Sequence, residues 1–230
     1  KERVSMVAPA WSYSSITLFK TCPRKYEAEK ITKEVKFTDS EATIYGKELH
    51  LAAEEFIRDG KPIPQRFKFI EPALQKLKDL PGQKLCEQKF GIARRDGRLE
   101  PCDFFDKDVW FRGIADLIII NGEEARIIDY KTGRSAKYAD TKQLALMAAC
   151  VFLNYPEVKV VKAGLLFVVC NAFPKETYTF ERRFAIFGEL NELLTRRDAA
   201  YETGVFNPTP NGLCKKWCDV LSCPHNGKHN

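Results

Sequence analysis

The spacing of apolar residues predicts a helix-rich beginning of the chain. Ser12 or Ser14 can cap a short helix through ITLFKTC, and PRKYEAEKI continues as helix after it. Over residues 40–59, apolar residues recur every three or four positions, as on one face of an amphipathic helix, and Gly60 follows as a stop. A further helix is predicted over residues 71–80, where a Pro-Gly pair ends it.

Beyond this pair the pattern changes to that of β-strands. LCEQKFGI predicts one strand, and the polar stretch from there to Phe105 predicts no regular element. VWFRGIADLIII and ARIIDYK are both rich in β-branched residues, and the strong turn signal Asn121-Gly122 separates them. We therefore expect these two strands to form a hairpin.

The last part of the pattern alternates again between helix and strand. Residues 141–153 predict a helix, AGLLFVVC a buried strand, TYTFERRF a neighbouring strand, and residues 187–203 a long helix that ends at Gly204. This order predicts an α/β fold, a mixed central sheet flanked by helices. We expect a single domain over residues 1–230. Its predicted parts are an N-terminal helical segment (12–30), a core (40–203) and a C-terminal segment (205–230) that follows the breaker-rich NPTPNG.

Composition and charge narrow the function only slightly. Of the 230 residues, 44% are hydrophobic and 30% charged, as in ordinary globular proteins. No apolar run approaches the roughly 18 residues that span a bilayer, and KERVSMVAPAW lacks the apolar stretch of a secretory signal. We therefore expect a cytoplasmic protein with no membrane contact. The net charge of +6 permits a polyanionic partner without requiring one.

The candidate chemistry begins with two acidic residues in the predicted hairpin. Asp116 and Asp129 both lie in apolar strands, where an uncompensated carboxylate is costly to bury. The turn between the strands can bring the two side chains together. Because adjacent carboxylates repel each other, a divalent cation is the simplest compensation, and Mg²⁺ suits oxygen ligands best.

Lys131 follows Asp129 by two residues and therefore projects from the same face of the strand. An ammonium group there can orient or help to deprotonate an attacking water, and it can offset charge in a transition state. Taken alone, a D-x-K strand is more simply explained as a solvated edge with a salt bridge. The joint pattern of two acids, a tight turn and a lysine is much more specific.

This arrangement resembles a known family. Asp116, twelve residues and then Asp129-Tyr130-Lys131 resemble the PD-(D/E)XK phosphodiesterase superfamily, and IIDYKTG resembles its RecB-like nuclease branch. That branch includes CRISPR-adaptation exonucleases, nuclease domains of recombination helicase complexes, and phage and mitochondrial single-strand exonucleases. SYSSITLFKTCPRKY and YGKELH resemble further motifs of the branch. The resemblance runs from about Ser12 to Cys223.

The resemblance implies site residues beyond the hairpin. His50 would be a metal ligand, although a lone histidine beside the apolar stripe of a helix is more often a structural hydrogen bonder. The main-chain carbonyl of Tyr130 would also bind the metal. Gln143 matches the glutamine of a Q-x-x-x-Y motif, but the tyrosine of that motif is Met147 here. Tyr138 or Tyr130 could substitute for it.

Two further carboxylates could belong to the site. Glu87 is a carboxylate in an otherwise apolar strand, and a metal ligand and a plain edge charge explain it equally well. Glu54 lies one helical turn after His50, where it can either orient that ligand or be a surface charge, and we favour the surface charge.

The eight cysteines divide into two groups. Cys86, Cys102, Cys150 and Cys170 are scattered, as small buried hydrophobic residues often are. CKKWCDVLSC instead places three thiols within ten residues, which in a reducing compartment indicates metal ligands. The resemblance implies a [4Fe–4S] cluster with one N-terminal and three C-terminal ligands, although the spacing of the last three departs from the common one. Zn²⁺ is the alternative, with His225 in place of one thiol. The predicted cluster ligands are Cys22, Cys214, Cys218 and Cys223.

Basic and aromatic residues near these motifs could contact nucleic acid. Arg24, Lys25 and Tyr26 follow Cys22, and Arg134 and Lys137 follow the D-x-K strand. Such side chains can bind phosphates and stack on bases, although each alone is better explained as a surface residue. No segment is typical of a helix that reads the major groove, which argues against sequence-specific binding.

Together these features predict a Mg²⁺- or Mn²⁺-dependent DNA exonuclease that acts on single-stranded DNA or DNA ends, with a 5′-to-3′ preference by analogy. Asp116, Asp129, His50, Lys131 and Gln143 would form its site. Protein partners in recombination, repair or CRISPR adaptation are possible. The alternatives are a non-catalytic iron–sulfur or zinc DNA-binding accessory module and a sequence-specific endonuclease.

Overall fold

The structure is a computed structural model that describes residues 6–36, 38–137 and 139–229. Residues 1–5 lie outside the described residues. They belong to KERVSMVAPAW, the stretch that was expected not to be a secretory signal. Tyr138 also lies outside the described residues. The chain divides into two compact units. The terminal unit comprises residues 1–38 and 189–230, and the sheet unit comprises residues 39–188. The expectation of a single domain stays a prediction.

The described elements are numbered in chain order. None of the described helices combines the length and the apolar character needed to cross a bilayer. The elements are α1 (Tyr13–Thr21), α2 (Pro23–Tyr26), a π-helical turn (Glu27–Ile31), α3 (Glu41–Asp59), a 3₁₀ turn (Gln65–Ile70), α4 (Glu71–Asp79), β1 (Gln83–Arg95), β2 (Arg98–Cys102), β3 (Val109–Asn121), β4 (Glu124–Lys131), α5 (Lys142–Asn154), β5 (Val160–Phe167), β6 (Lys175–Thr179), a 3₁₀ turn (Phe180–Arg182), α6 (Arg183–Gly188), α7 (Asn191–Thr203) and two 3₁₀ turns (Gly212–Lys215 and Gly227–His229).

The helix ends follow the predicted signals. The Ser12 hydroxyl accepts a hydrogen bond from the Ser15 N–H at 3.3 Å and so caps α1. Ser40 caps α3 in the same way, and Gly60 ends that helix with a left-handed φ of 70°. Because these caps fix where α3 begins and ends, they also fix which of its residues lie over the sheet.

The sheet unit is built on a six-stranded mixed sheet of the described residues, in the order β2-β1-β3-β4-β5-β6. β4 and β5 are parallel, and the other neighbouring pairs are antiparallel. Parallel neighbours need a crossover connection, and α5 lies in that connection. The predicted α/β fold, a mixed sheet flanked by helices, is confirmed.

The core between α3, α4 and the central strands holds the candidate site in place. Each fully buried large apolar side chain contributes roughly 1.5–3 kcal/mol relative to its exposed state, so this cluster anchors α3 firmly to β3 and β4. Its buried members include Leu49, Ala53, Phe56, Phe67, Leu74, Leu117, Ile119, Ile128 and Tyr130.

A ring cluster packs the two ends of the chain within the terminal unit. The rings of Phe19, Tyr26 and Phe206 lie 5.5–6.5 Å apart, measured between centroids. The hydroxyl oxygens of Tyr26 and Tyr201 lie 3.1 Å apart, so the two groups share a buried hydrogen bond. α1 and α2 are thereby joined to α7 and the segment after it.

One strand was missed by the prediction. Residues 98–102 form β2, an antiparallel neighbour of β1, in a stretch predicted to be irregular. Asp96 and Gly97, with φ of 49° and 78°, make the turn between the two strands. β2 lies at the sheet edge and its residues are partly or fully exposed, so it needs no apolar alternation. The prediction was wrong because edge strands lack this signal.

Two predicted bounds were also wrong. The strand expected through TYTFERRF ends at Thr179, and a 3₁₀ turn and α6 follow it. The long helix expected over residues 187–203 is interrupted after Gly188, so that α6 ends there and α7 begins at Asn191. In the hairpin, Asn121 pairs with Glu124 and still belongs to β3.

Candidate functional site

Asp116 lies where the hairpin strands begin to separate. The β3–β4 register pairs Leu117 with Ile128, and the next step would place Asp116 opposite Asp129. Instead of pairing, the Asp116 carboxylate accepts a hydrogen bond from the Tyr130 N–H at 2.7 Å. The predicted proximity of the two acids has an electrostatic consequence, because the Asp116 charge contributes to raising the pKa of Asp129.

His50 reaches both hairpin strands from α3. Its Nε2 lies 3.0 Å from the Tyr130 carbonyl oxygen, to which it can donate a hydrogen bond, and its Nδ1 lies 3.4 Å from Asp116 Oδ2. Burial lowers the pKa of His50, but the contact with Asp116 and the charges of Asp129 and Glu87 outweigh burial and raise it overall. In this arrangement Nδ1 faces the acids. The Tyr130 carbonyl, predicted to bind the metal, contacts His50.

Glu87 joins His50 and Asp116. One ligand atom of each of these three residues lies within 4.8 Å of the other two. Glu87 has a left-handed φ of 48°, a strained conformation for a non-glycine residue in a strand, at the position where the β1–β3 pairing skips a residue. Burial and the Asp116 charge raise the pKa of its carboxyl. Of the two readings left open for Glu87, this placement favours the metal ligand.

Asp129 is 7% exposed and lies next to Lys131. Lys131 Nζ lies 2.6 Å from Asp129 Oδ2, so the two side chains form an ion pair. Burial and the Asp116 charge raise the pKa of Asp129, and Lys131 opposes them. One imidazole and the clustered carboxylates form a donor set that fits a hard divalent cation.

An open groove beside the three ligands was not predicted from the sequence. It runs along the face of α3 that carries Thr43, Gly46, Lys47, His50 and Glu54. These positions recur at helical spacing of three or four, a signal that could have identified the face. Glu54, expected to be a surface charge, forms an ion pair with Arg58 and also lines this groove, as do Glu87 and Thr132.

The family's glutamine motif lies on α5. Gln143 is half-buried in the first turn and makes no hydrogen bond with the described residues. Met147 is buried against Gly113, where an added Cβ would come within 2.3 Å of Met147 Cε. Position 147 is therefore a packing position here. Arg134 and Lys137 are exposed in the loop after β4, and Tyr138 lies outside the described residues.

The four predicted cluster cysteines line one small cavity of the terminal unit. Cys22 Sγ accepts a hydrogen bond from the Thr209 N–H at 3.4 Å, and Cys214 Sγ accepts one from Asn211 at the same distance. Amide donors of this kind stabilise thiolate sulfur. In the described part of the chain, no three thiol sulfurs come within 4.8 Å of one another. The cavity lining includes Cys22, Cys214, Cys218, Cys223, His225, Arg24 and Lys25.

The side chains after Cys22 are engaged within the terminal unit. Arg24 forms ion pairs with Glu27 at 3.0 Å and Glu34 at 2.6 Å, and Lys25 lies 3.6 Å from Glu29. Tyr26 is buried in the ring cluster. Their contact with DNA stays a prediction, and the contacts seen here are structural.

Comparisons with known proteins agree with this architecture. Residues 10–224 match the sequence profile described as the PD-(D/E)XK nuclease superfamily. Gene 69 protein of Mycobacterium phage D29 is 31% identical over 116 residues, which cover 49% of this chain and 42% of that protein. The chain thus spans less than half of that relative's length.

One solved structure with 14% sequence identity shares the fold. A protein of Eubacterium rectale, provisionally named an exonuclease, has a TM-score of 0.50 over 96% of this chain and 88% of its own. SSO0001 has a TM-score of 0.49 over 97% of this chain and 91% of its own.

Proposed function

Since the chain belongs to the PD-(D/E)XK nuclease superfamily, as the spacing of Asp116, Asp129 and Lys131 predicted, we propose that it is a metal-dependent DNA exonuclease. The proposed substrate is single-stranded DNA or a DNA end, degraded from 5′ to 3′ by analogy with the RecB-like branch. The observation that carries the proposal is the candidate ligand set of His50, Glu87 and Asp116 beside the buried Asp129 and its ion-pair partner Lys131.

The proposed metal is Mg²⁺ or Mn²⁺. His50, Glu87 and Asp116 would hold it, with Asp129 as a further ligand. A divalent cation in such a site neutralises phosphate charge and polarises the scissile phosphodiester. Burial, followed by the repulsion from the Asp116 charge, raises the pKa values of Glu87 and Asp129, and a cation would relieve that repulsion.

Lys131 has a separate role in this proposal. Its Nζ lies 2.6 Å from Asp129 Oδ2, so it stands next to the proposed metal ligands. We propose that Lys131 orients the attacking water and stabilises the negative charge that develops on the phosphate. Gln143, at the start of α5, would hydrogen-bond the substrate.

The test uses labelled DNA. The parent protein is incubated with 5′- or 3′-labelled single strands in Mn²⁺ or in EDTA, next to Lys131→Ala and Asp116→Asn. Degradation that requires Mn²⁺ and is lost in both variants is expected, and the label released first gives the direction. Closed circular single strands should survive, whereas an endonuclease would cut them. Shifted but undegraded DNA in both buffers would support a binding module instead.

For the cysteine cavity we propose a [4Fe–4S] cluster held by Cys22, Cys214, Cys218 and Cys223. The support for the proposal is that all four cysteines line one cavity, and four cysteines are the usual ligands of such a cluster. A visible absorption shoulder together with iron and sulfide in anaerobically purified protein is expected. Stoichiometric zinc without iron would contradict the proposal.

The cellular setting is also a proposal. A cytoplasmic nuclease of this kind would act with partners in recombination, repair or CRISPR adaptation. Because the matched segment covers 42% of the phage protein, activities of whole relatives come to this chain only as hypotheses.

A further inference from the structure

We propose that an exposed aromatic and basic patch of the sheet unit stacks the bases of a single DNA strand next to the candidate metal site. This inference rests on the proposed function, because it names how the same substrate is held. The patch, called here the base platform, consists of Lys89, Phe104, Phe105, Arg112 and Ile114.

The base platform presents a large apolar ring to solvent between two cations. Phe105 is 74% exposed, and its ring centroid lies 5.1 Å from that of Phe104. Lys89 Nζ lies 5.7–5.8 Å from both ring centroids, and the Arg112 guanidinium carbon lies 5.6 Å from that of Phe104. Alternating rings and cations are the composition of surfaces that bind single-stranded nucleic acid, since every base has a face that can stack.

The platform is held firmly although it is exposed. The Phe105 N–H donates a hydrogen bond to Asp103 Oδ1 at 2.7 Å, and Arg112 Nε donates one to the Phe104 carbonyl oxygen at 2.8 Å. Lys89 and Ile114 are directly opposite each other in the β1–β3 pairing, so they share one face of the sheet. These bonds fix the backbone that carries the two rings, so less conformational entropy is lost when a base stacks on Phe105.

The position of the platform relates it to the metal site. Lys89 follows the ligand Glu87 by two residues on β1, and Ile114 precedes the ligand Asp116 by two residues on β3. Two residues of strand span about 7 Å. Both strands that carry candidate ligands therefore also carry Lys89 and Ile114 of the platform, and the rings of Phe104 and Phe105 lie against Lys89. We infer that the platform can hold a nucleotide next to the phosphate at the metal.

The charge of the platform suits phosphate. In the described part of the chain, neither Lys89 nor Arg112 forms an ion pair. The neighbouring acids are engaged otherwise, since Asp103 accepts from Phe105 and Asp106 lies 3.6 Å from Arg95. The charges of Lys89 and Arg112 are thus not neutralised by an ion-pair partner among the described residues, and they can attract the phosphates of a bound strand. A duplex hides its base faces within its own stack, so this chemistry favours a single strand.

The experiment measures binding of fluorescently labelled single-stranded DNA in EDTA, so that affinity is read without cleavage. Phe105→Ala is expected to weaken binding by roughly 5- to 100-fold, the range for loss of one stacked base. Phe69→Ala removes another ring, 50% exposed in the 3₁₀ turn after α3, and serves as the matched control with unchanged affinity. Phe105→Trp keeps a stacking surface and should retain the affinity of the parent.

A second DNA ligand, which has no bases, separates the contribution of base stacking to the affinity from that of phosphate charge. Oligonucleotides that lack bases but keep their phosphates should bind the parent more weakly, and Phe105→Ala should add no further loss with them. The proposal is overturned by Phe105→Ala binding ordinary DNA as tightly as the parent, by an equal loss with both ligands, or by no binding of single strands at all. If the parent binds through Phe105 but never cleaves with Mn²⁺, the proposed nuclease function fails and the platform stands.

Discussion

The acidic site of the sheet unit and the cysteine cavity of the terminal unit both gather residues that are distant in sequence, but they do so differently. His50, Glu87 and Asp116 project from regular elements that the core holds in place, and the two carboxylates repel each other. Cys214 instead lies in a short 3₁₀ turn, and backbone amides already donate to two of the thiols.

This difference indicates that a bound ion would depend on the fold at the acidic site, whereas the fold would depend on the bound group at the cysteine cavity. An acidic site on preformed strands and a helix can persist without its cation, so the ion can be exchanged and used for chemistry. A cavity built from turns and termini has few regular hydrogen bonds of its own, so a bound group there would hold the chain together. The predictions below test this contrast.

The largest effect is expected for Asp116→Asn. Loss of a ligand should lower Mn²⁺-dependent DNA cleavage by about 10²- to 10³-fold. Stability should be unchanged or higher, because the substitution removes a charge that repels Asp129 and Glu87. Cleavage rates and thermal unfolding in EDTA check this. Glu100→Gln, at a half-exposed position of β2, is the control that should alter neither quantity. A strong fall in melting temperature for Asp116→Asn would mean that the acid is structural.

Cys218→Ser is expected to lower stability, in contrast to Asp116→Asn. Losing one ligand of the proposed cluster should remove the visible absorption and lower the free energy of unfolding by about 2–5 kcal/mol, a range borrowed from loss of a native cross-link. Cys170→Ser, at an exposed thiol of the sheet unit, should change neither. If Cys218→Ser keeps the melting temperature of the parent, the cavity has no structural ligand.

Binding of Mn²⁺ at the acidic site is expected to change the free energy of unfolding by a smaller amount. Mn²⁺ at about 100 times its dissociation constant should add roughly 2.7 kcal/mol to the free energy of unfolding. Asp116→Asn should lose most of this gain, and the parent in EDTA should still unfold cooperatively. Calorimetry with and without Mn²⁺ measures it. Equal stabilisation of the parent and the variant would place the ion elsewhere.

The sequence was sufficient where local signals and tertiary structure agree. The Asn-Gly turn between two apolar strands predicted the hairpin that carries Asp116, and Ser40 and Gly60 predicted the bounds of α3 and so the position of His50. For Glu87 the sequence left two readings open. Its left-handed backbone and its position across from β3 depend on strand pairing, which the local sequence does not encode.

Substitutions within a family motif were the hardest to interpret. Met147 stands where the family has a tyrosine, and the sequence alone suggested a lost substrate contact. The structure shows a side chain that is 3% exposed and fills the space over Gly113. The chain thus uses this position for packing, and the absence of a Cβ at residue 113 allows β3 and α5 to approach closely.

The smallest predicted effect restores that tyrosine. Met147→Tyr should lower the free energy of unfolding by about 1–3 kcal/mol, because a larger ring with a hydroxyl must enter a filled core against Gly113. Met147→Leu, which conserves volume, should cost less than about 1.5 kcal/mol. Urea unfolding of both variants, with DNA cleavage measured in parallel, checks this. If Met147→Tyr were as stable as the parent and faster in cleavage, residue 147 would face the substrate after all, and the acidic site would extend onto α5.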